Sequence, residues 1–249
     1  MTGPLDGIRV LDVSTILAGP LVAQILGDFG ADVVKIEHPT KPDGMRGHGL
    51  DKDGHPLWWT MVSRNKRGLT LNLGNPDGAE VFKRLVADVD VVVENFRPGT
   101  FERWGLGYDV LSAINPGLIL LRVNGFGQTG PYATRPAFGT LVESMSGFAH
   151  LTGEEVIAAF EDAGAAVAPV YKPSELLDDP QVTAIEMVTT VDDEDLGPVR
   201  MQNVMWRMGE SPGSIRHTGR AHGADTDEIL AESGYSAEEI ARLREVGAV

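Results

Sequence analysis

Apolar residues in this chain come in short runs separated by helical periodicity, which is the pattern of strands alternating with helices. Residues 8–13 (Ile-Arg-Val-Leu-Asp-Val) read as a first strand. Pro20 sits where a first helical turn tolerates proline, and Leu21, Leu26 and Phe29 give the following helix an apolar face. Residues 31–36 form a second strand, so a βαβ unit with parallel strands is complete within forty residues. After a polar, Gly- and Pro-rich loop over 37–59 that closes on Trp58-Trp59, residues 69–73 read as a short strand. Asn75-Pro76-Asp77 opens a helix with Val81, Leu85 and Val86 on one side. Val89 and Val91 to Val93 then read as a strand buried on both faces. Two short helical turns over 101–111 and another buried strand over 118–121 follow.

Beyond a Gly-rich loop (124–131) the periodicity is helical over 140–151 and 154–163, with a strand over 166–170. Short helical pieces at 174–177 and 181–186 lead to a hairpin, 188–191 with 199–203, across the acidic turn 192–195. Two acid-capped helices, 225–232 and 236–245, end the sequence. The expected fold class is α/β: a mostly parallel sheet domain over 1–153, followed by a smaller α+β region over 154–249.

Composition sharpens this picture at three points. The 249 residues contain no cysteine, which excludes disulfides, a thiolate nucleophile and cysteine-ligated metal. The net charge of −15 is uneven, since residues 154–249 hold 20 Asp/Glu against 7 Lys/Arg while residues 1–153 are nearly neutral. Nucleic acid is therefore not an expected partner, although the first part retains local basic groups for an anionic ligand. Without a membrane-length apolar run or the basic-then-apolar order of a signal peptide, a cytoplasmic location is expected. The histidines do not sustain a metal site: His217 and His222 are five apart in a loop, and no HExxH spacing exists. No GxGxxG follows the first strand, so a dinucleotide fingerprint is not supported.

The stretch with most chemistry is 89–99, a strand that finishes on Glu94, Asn95, Phe96 and Arg97 before Pro98-Gly99. In open α/β sheets, ligands sit past the carboxyl ends of strands. An amide, a stacking face and a guanidinium there suit a phosphate-bearing ligand; a strand, a solvated arginine and a turn are the plain alternative.

Six motifs in order over the first 153 residues resemble class III CoA-transferases, the family that includes formyl-CoA transferase, carnitine CoA-transferase and α-methylacyl-CoA racemase. They are Val-Leu-Asp-Val-Ser-Thr-Ile-Leu-Ala-Gly-Pro (10–20), Gly-Ala-Asp-Val-Val-Lys-Ile-Glu-His-Pro (30–39), Asn-Lys-Arg-Gly-Leu-Thr-Leu-Asn-Leu (65–73), Val-Glu-Asn-Phe-Arg-Pro-Gly (93–99), Gly-Phe-Gly-Gln-Thr-Gly-Pro (125–131) and Ser-Met-Ser-Gly (144–147). Residues 154–249 resemble the family's C-terminal end, including Gly-Arg-Ala-His-Gly-Ala-Asp-Thr (219–226).

The resemblance implies a Rossmann-like CoA-binding domain, an interlocked homodimer, and CoA thioesters with a carboxylate acceptor as substrates, with no tightly bound cofactor. It places CoA contacts on Thr15, Ile16, Leu17, Ala18, His38, Leu71, Asn95, Phe96, Arg97 and Arg103. Backbone amides at 15–18 would approach phosphate, Phe96 would stack on adenine and Arg103 would bind phosphate bidentately. His38 stands where formyl-CoA transferase has an arginine, which makes that contact weaker or pH-dependent.

Two departures bear on chemistry. Phe138 occupies the place of the racemases' histidine base, which argues against racemisation by that route. The family's nucleophilic aspartate lies after the Ser-Gly motif in an Asp-x-x-(Ala/Ser)-Gly context, whereas this chain runs from Leu151-Thr152-Gly153 directly into Glu154-Glu155-Val156. The catalytic residue is thus unassigned; Glu154, Glu155, Glu161 and Asp162 have the spacing of a solvated helix face. The expected activity is CoA transfer through an enzyme carboxylate. The alternatives are a non-catalytic CoA-binding protein, a subunit completed by a partner chain, or an interaction module on the same scaffold.

Overall fold

The computed structural model describes residues 3–129, 131–133, 135, 177, 180–205 and 210–249. Phe138, Glu154, Glu155, Glu161, Asp162, the Ser-Gly motif and the elements expected over 140–176 lie outside them.

Five parallel strands make the central sheet: β1 (Arg9–Asp12), β2 (Asp32–Glu37), β5 (Lys66–Thr70), β6 (Val91–Glu94) and β7 (Ile119–Arg122). Their order across it is β5-β2-β1-β6-β7. Helix α1 (Ala18–Asp28) crosses from β1 to β2, α3 (Pro76–Val86) from β5 to β6, and α4 (Thr100–Arg103) with α5 (Tyr108–Ile114) from β6 to β7. Asn75 caps α3 by accepting from the Asp77 N–H at 2.9 Å, as the Asn-Pro-Asp sequence predicts. The fold is the α/β class expected.

Strand periodicity of two divides the core. Leu11, Val13, Val34, Ile36, Leu69 and Val92 face one side, against α3, Phe101 and Leu111. Val10, Val33 and Val93 face the other, against Ala23 of α1. On this second face the pattern changes along each strand: Val10 is followed by Asp12, and Val33 by Lys35 and Glu37, all three charges being buried. On this face β1 and β2 pass from apolar to charged side chains toward their carboxyl ends.

Residues 188–249 return to this sheet's unit, while residues 124–187 form a separate one. In the latter, α6 (Pro180–Ala184) overlaps the second of the expected short helical pieces, starting one residue earlier and ending two residues sooner. Strands β8 (Val188–Asp193) and β9 (Gly197–Gln202) pair as the expected hairpin, longer than anticipated, because Asp193 Oδ1 accepts from the Asp195 and Leu196 N–H groups and closes the turn within the strand end. Helices α7 (Thr226–Glu232) and α8 (Ala237–Glu245) place Ile229, Leu230, Ile240 and Leu243 in the main core. A capping box between Ser236 and Glu239 starts α8.

Three expectations are corrected. The strand expected over 69–73 is β5, Lys66–Thr70. Its first two residues are cations that lie before the expected strand; Lys66 is neutralised inside by Asp12, and Arg67 by Asp32 and Glu232. The strand over 118–121 is only half buried: β7 has β6 as its one partner among the described residues, and Ile119 is 60% exposed. The 37–59 loop carries structure of its own, a 3-10 turn (Gly44–Gly47), a two-residue hairpin of β3 (Asp51–Lys52) and β4 (His55–Pro56), and helix α2 (Leu57–Val62) with Trp59 buried.

Candidate functional site

A cleft of about 520 Å³ opens past the carboxyl ends of β1, β2, β5 and β6. Its floor is apolar (Val13, Ile36, Leu71, Leu73), and Phe96 and Trp104 form an aromatic wall. The two rings meet edge to face at 5.1 Å, and Phe96 also packs on Phe101 at 5.7 Å. Lys41 and His38 also line it, with Pro42, Asp43 and Gly44. An apolar floor, aromatic rings and a few polar groups are features shared with small-molecule sites.

The turn from β1 into α1 forms one lip, and side chains from two other loops tie it down. Asn95, at the end of β6, accepts from the Thr15 N–H at 2.8 Å and donates to the Thr15 carbonyl at 2.7 Å. Asp43 accepts from the Ile16 N–H at 3.0 and 3.2 Å. Ile16 has φ +68°, a left-handed conformation that costs a β-branched residue on the order of 1–3 kcal/mol. Gly19 is required here because a Cβ would lie 2.4 Å from that of Ser14.

Beneath the lip lies a largely buried network of charges. Lys66 Nζ contacts Asp12 Oδ2 at 2.8 Å and the Pro20 carbonyl at 2.6 Å. Lys35 contacts Asp43 Oδ2 at 3.3 Å and donates to the Ser14 carbonyl. Arg46 grips Glu37 with two hydrogen bonds, at 2.9 and 2.7 Å, and its guanidinium lies over the Trp59 ring at 3.7 Å. Burial opposes the charge on Asp12, but Lys35 and Lys66 beside it hold its carboxyl below the usual range. The same contest at Glu37 is won by Arg46. Burial lowers the Lys66 ammonium even against Asp12. At Glu94 burial prevails and raises the carboxyl, although the acid still accepts from the Phe96 N–H at 2.6 Å and so fixes the turn that presents the ring.

The C-terminal segment closes the outer side. The Arg220 carbonyl accepts from Trp59 Nε1 at 2.9 Å and from Arg46 at 3.3 Å, and His222 Nε2 lies 3.2 Å from the His38 carbonyl. Asp225 accepts from the Gly68 N–H at 2.6 Å, and the Gly68 carbonyl accepts from the Asp225 N–H, so the outer side of β5 is covered. Asn65, at φ +60°, bonds Asp28 and the Ser214 carbonyl through one amide nitrogen.

Of the residues singled out in the sequence, Thr15, Ile16, His38, Leu71 and Phe96 line the cleft together. Leu17 and Ala18 begin α1 beside it. Asn95 holds the lip rather than the lining. Arg97 is exposed, and Arg103, also exposed, donates to Thr100 Oγ1 at 2.9 Å; neither is among the lining residues. Two of the four amides expected to face phosphate, those of Thr15 and Ile16, are already bonded to Asn95 and Asp43. Burial, Lys41 and His222 lower His38's pKa, favouring a neutral ring; since Nδ1 accepts from the Thr40 N–H at 3.2 Å, Nε2 is left as its donor. Lys35, Lys41, Asp43 and Trp104 join the site without having been singled out by sequence. Lys35 sits within a strand, and only the Gly/Pro-rich character of 37–59 points toward Lys41 and Asp43.

Among the described residues, no three His, Asp or Glu side chains are grouped to hold a metal ion, and no helix is long and apolar enough to cross a membrane.

Comparison with known proteins gives the cleft a context. The sequence profile of CoA-transferase family III matches residues 5–156 and 152–226. The chain is 56% identical over 153 residues to the succinyl-CoA–L-malate CoA-transferase beta subunit of Chloroflexus aurantiacus, covering 61% of this chain and 38% of that protein. It is 41% identical over 175 residues to the succinate–glutarate CoA-transferase of Agrobacterium fabrum, covering 68% and 44%. It therefore spans less than half the length of these relatives. A CAIB/BAIF family protein from Brucella suis superposes with a TM-score of 0.79 over 94% of this chain and 100% of that one, at 22% identity, a likeness of fold.

Proposed function

This chain belongs to CoA-transferase family III, and from that premise we propose that its cleft holds the nucleotide end of coenzyme A during transfer of CoA between an acyl-CoA thioester and a carboxylate. The observation that carries the reading is the coincidence of the family's motifs with the cleft. Val13, Thr15 and Ile16, residues 35–38, residues 71–73 and Phe96 come from four separate motifs and meet at one place. Phe96 and Trp104 offer a face for a purine, and Lys41 with the His38 Nε2 donor offers charge and a hydrogen bond to phosphate. Lys35 contributes little to the ligand, because Asp43 and the Ser14 carbonyl hold its ammonium.

The chemistry requires a carboxylate that attacks the thioester carbon, giving a mixed anhydride and CoA thiolate. The thiolate attacks the enzyme-side carbonyl of that anhydride, which expels the donor carboxylate and leaves an enzyme thioester. The acceptor carboxylate attacks that thioester, giving a second mixed anhydride and thiolate; the thiolate then attacks the acceptor's carbonyl, forming the new acyl-CoA and freeing the enzyme carboxylate. Malate and glutarate in the names of two relatives point to a small dicarboxylate as acceptor and succinyl-CoA as donor. A second reading is a CoA-binding subunit whose nucleophile comes from a partner chain. It is favoured by the passage from Gly153 to Glu154, where the family's aspartate context is missing, and by a relative that is itself a subunit.

Incubation with succinyl-CoA and isotope-labelled L-malate or glutarate, followed by mass spectrometry of the thioesters, tests the proposal. Labelled acyl-CoA is expected if the chain carries its own nucleophile. Thermal stabilisation by CoA without exchange would support the subunit reading. Neither exchange nor stabilisation would refute both.

A further inference from the structure

Ile16 is the one non-glycine residue with positive φ among those lining the cleft, and the group that keeps it there comes from a different loop. Asp43 follows β2, and its side chain is 1% exposed. Oδ1 accepts from the Ile16 and Met45 N–H groups, each at 3.0 Å; Oδ2 accepts from Ile16 at 3.2 Å and faces Lys35 at 3.3 Å. Both oxygens are thus engaged by the protein's own donors, so this carboxylate has little capacity left for a ligand even though it borders the cleft.

Asp43 is itself located. Its N–H donates to Glu37 Oε1 at 2.9 Å, and Arg46 clamps Glu37. Its neighbour Gly44 lacks the Cβ that would otherwise lie 2.9 Å from Ile16 Cδ1. One dipeptide therefore controls both the amide of Ile16 and the space its side chain occupies at the cleft mouth, where that side chain is 41% exposed. On the far side of the lip, Asn95 fixes Thr15 in the same manner.

We infer that Asp43 is a positioning residue for the nucleotide site: it holds Ile16 in its left-handed conformation and so sets the shape of the lip against which CoA is received. Without the carboxylate, Ile16 relaxes to negative φ, its side chain swings, and the start of α1 shifts with it. The inference rests on the reading of the cleft as a CoA site.

A cycle of variants separates positioning from general stability. Calorimetric titration with CoA is compared for the unaltered chain, Asp43→Asn, Ile16→Gly and the double variant. Asp43→Asn is expected to weaken CoA about tenfold while unfolding stays cooperative. Glycine adopts φ near +68° without help, so the double variant is expected to bind within about threefold of Ile16→Gly alone. A purely structural role would lower the melting temperature with no such rescue of affinity. Asp43→Asn binding as tightly as the unaltered chain, or a double variant as weak as Asp43→Asn, would overturn the inference. If Asp43→Asn does not fold, K35M/D43N with and without I16G serves the same comparison, since it removes both buried charges together. An unaltered chain that does not bind CoA would end the reading of the cleft and this inference with it; binding by all variants alike would end only the inference.

Discussion

Deletion of residues 224–249 is expected to leave the sheet unit unfolded. Those residues carry Ile229, Leu230, Ile240 and Leu243, all 5% exposed or less and packed in the same cluster as Leu11, Leu69 and Phe82. Four buried aliphatic side chains at roughly 1.5–3 kcal/mol each contribute about 6–12 kcal/mol. That is comparable with the whole stability of an ordinary domain, about 5–15 kcal/mol. The deletion also strips polar partners from the sheet. The Gly68 N–H loses Asp225, the Thr70 N–H loses Thr226 at 3.0 Å, and the Asn72 N–H loses the Ala248 carbonyl at 2.7 Å. Circular dichroism and urea titration of the shortened chain check the expectation. A cooperative transition at the original midpoint would show that α7 and α8 are dispensable. The single substitution Leu230→Ala, at a fully buried position, is expected to cost about 2–5 kcal/mol on the same scale.

Replacing Lys66 by methionine is expected to destabilise the fold by about 3–5 kcal/mol, the usual cost of stranding one member of a buried pair. The ammonium has two oxygen contacts, Asp12 Oδ2 and the Pro20 carbonyl, and neither Lys66 nor Asp12 is more than 1% exposed. Without it, Asp12 keeps the Ser14 N–H at 3.1 Å, the Ser14 hydroxyl and the charge of Lys35, but Oδ2 loses the ammonium that contacts it. The substitution D12N/K66M removes both charges and is expected to recover a large part of the loss, because an uncharged pair no longer carries the desolvation penalty of the carboxylate. Equilibrium urea unfolding of the three chains decides the matter. A loss below about 1 kcal/mol for Lys66→Met would mean that Asp12 finds another partner or water.

These two predictions also mark where the sequence is legible and where it is not. The apolar runs over 8–13, 31–36 and 89–93 announce β1, β2 and β6, and Asn75-Pro76-Asp77 announces α3, because each signal is local. Helices α7 and α8 are equally legible from their acidic starts and apolar spacing, though not that they pack on the sheet. Strand β5 begins three residues before its apolar signal, at cations that Asp12 and Asp32 neutralise once the fold brings them together. Asn95 stands out in the sequence as a ligand contact, but in the fold its amide reaches back 80 residues to brace Thr15. Local propensity also opposes the left-handed conformation of Ile16, which becomes understandable only once Asp43 is seen on its amide. Arg97 and Arg103 have attractive chemistry, yet a cation's position relative to a cleft is a tertiary property. The cleft draws instead on Lys41, from a loop whose polar sequence carries no register.

The central claim is that the cleft past the ends of β1, β2, β5 and β6 receives coenzyme A. Hydrogen–deuterium exchange of the whole chain, with and without saturating CoA, tests it most directly. Backbone amides over 15–18, 38–44, 71–74 and around Phe96 are expected to exchange more slowly with ligand, while the β8–β9 hairpin is unaffected. Unchanged exchange in all four segments, or protection confined to residues outside them, would contradict it.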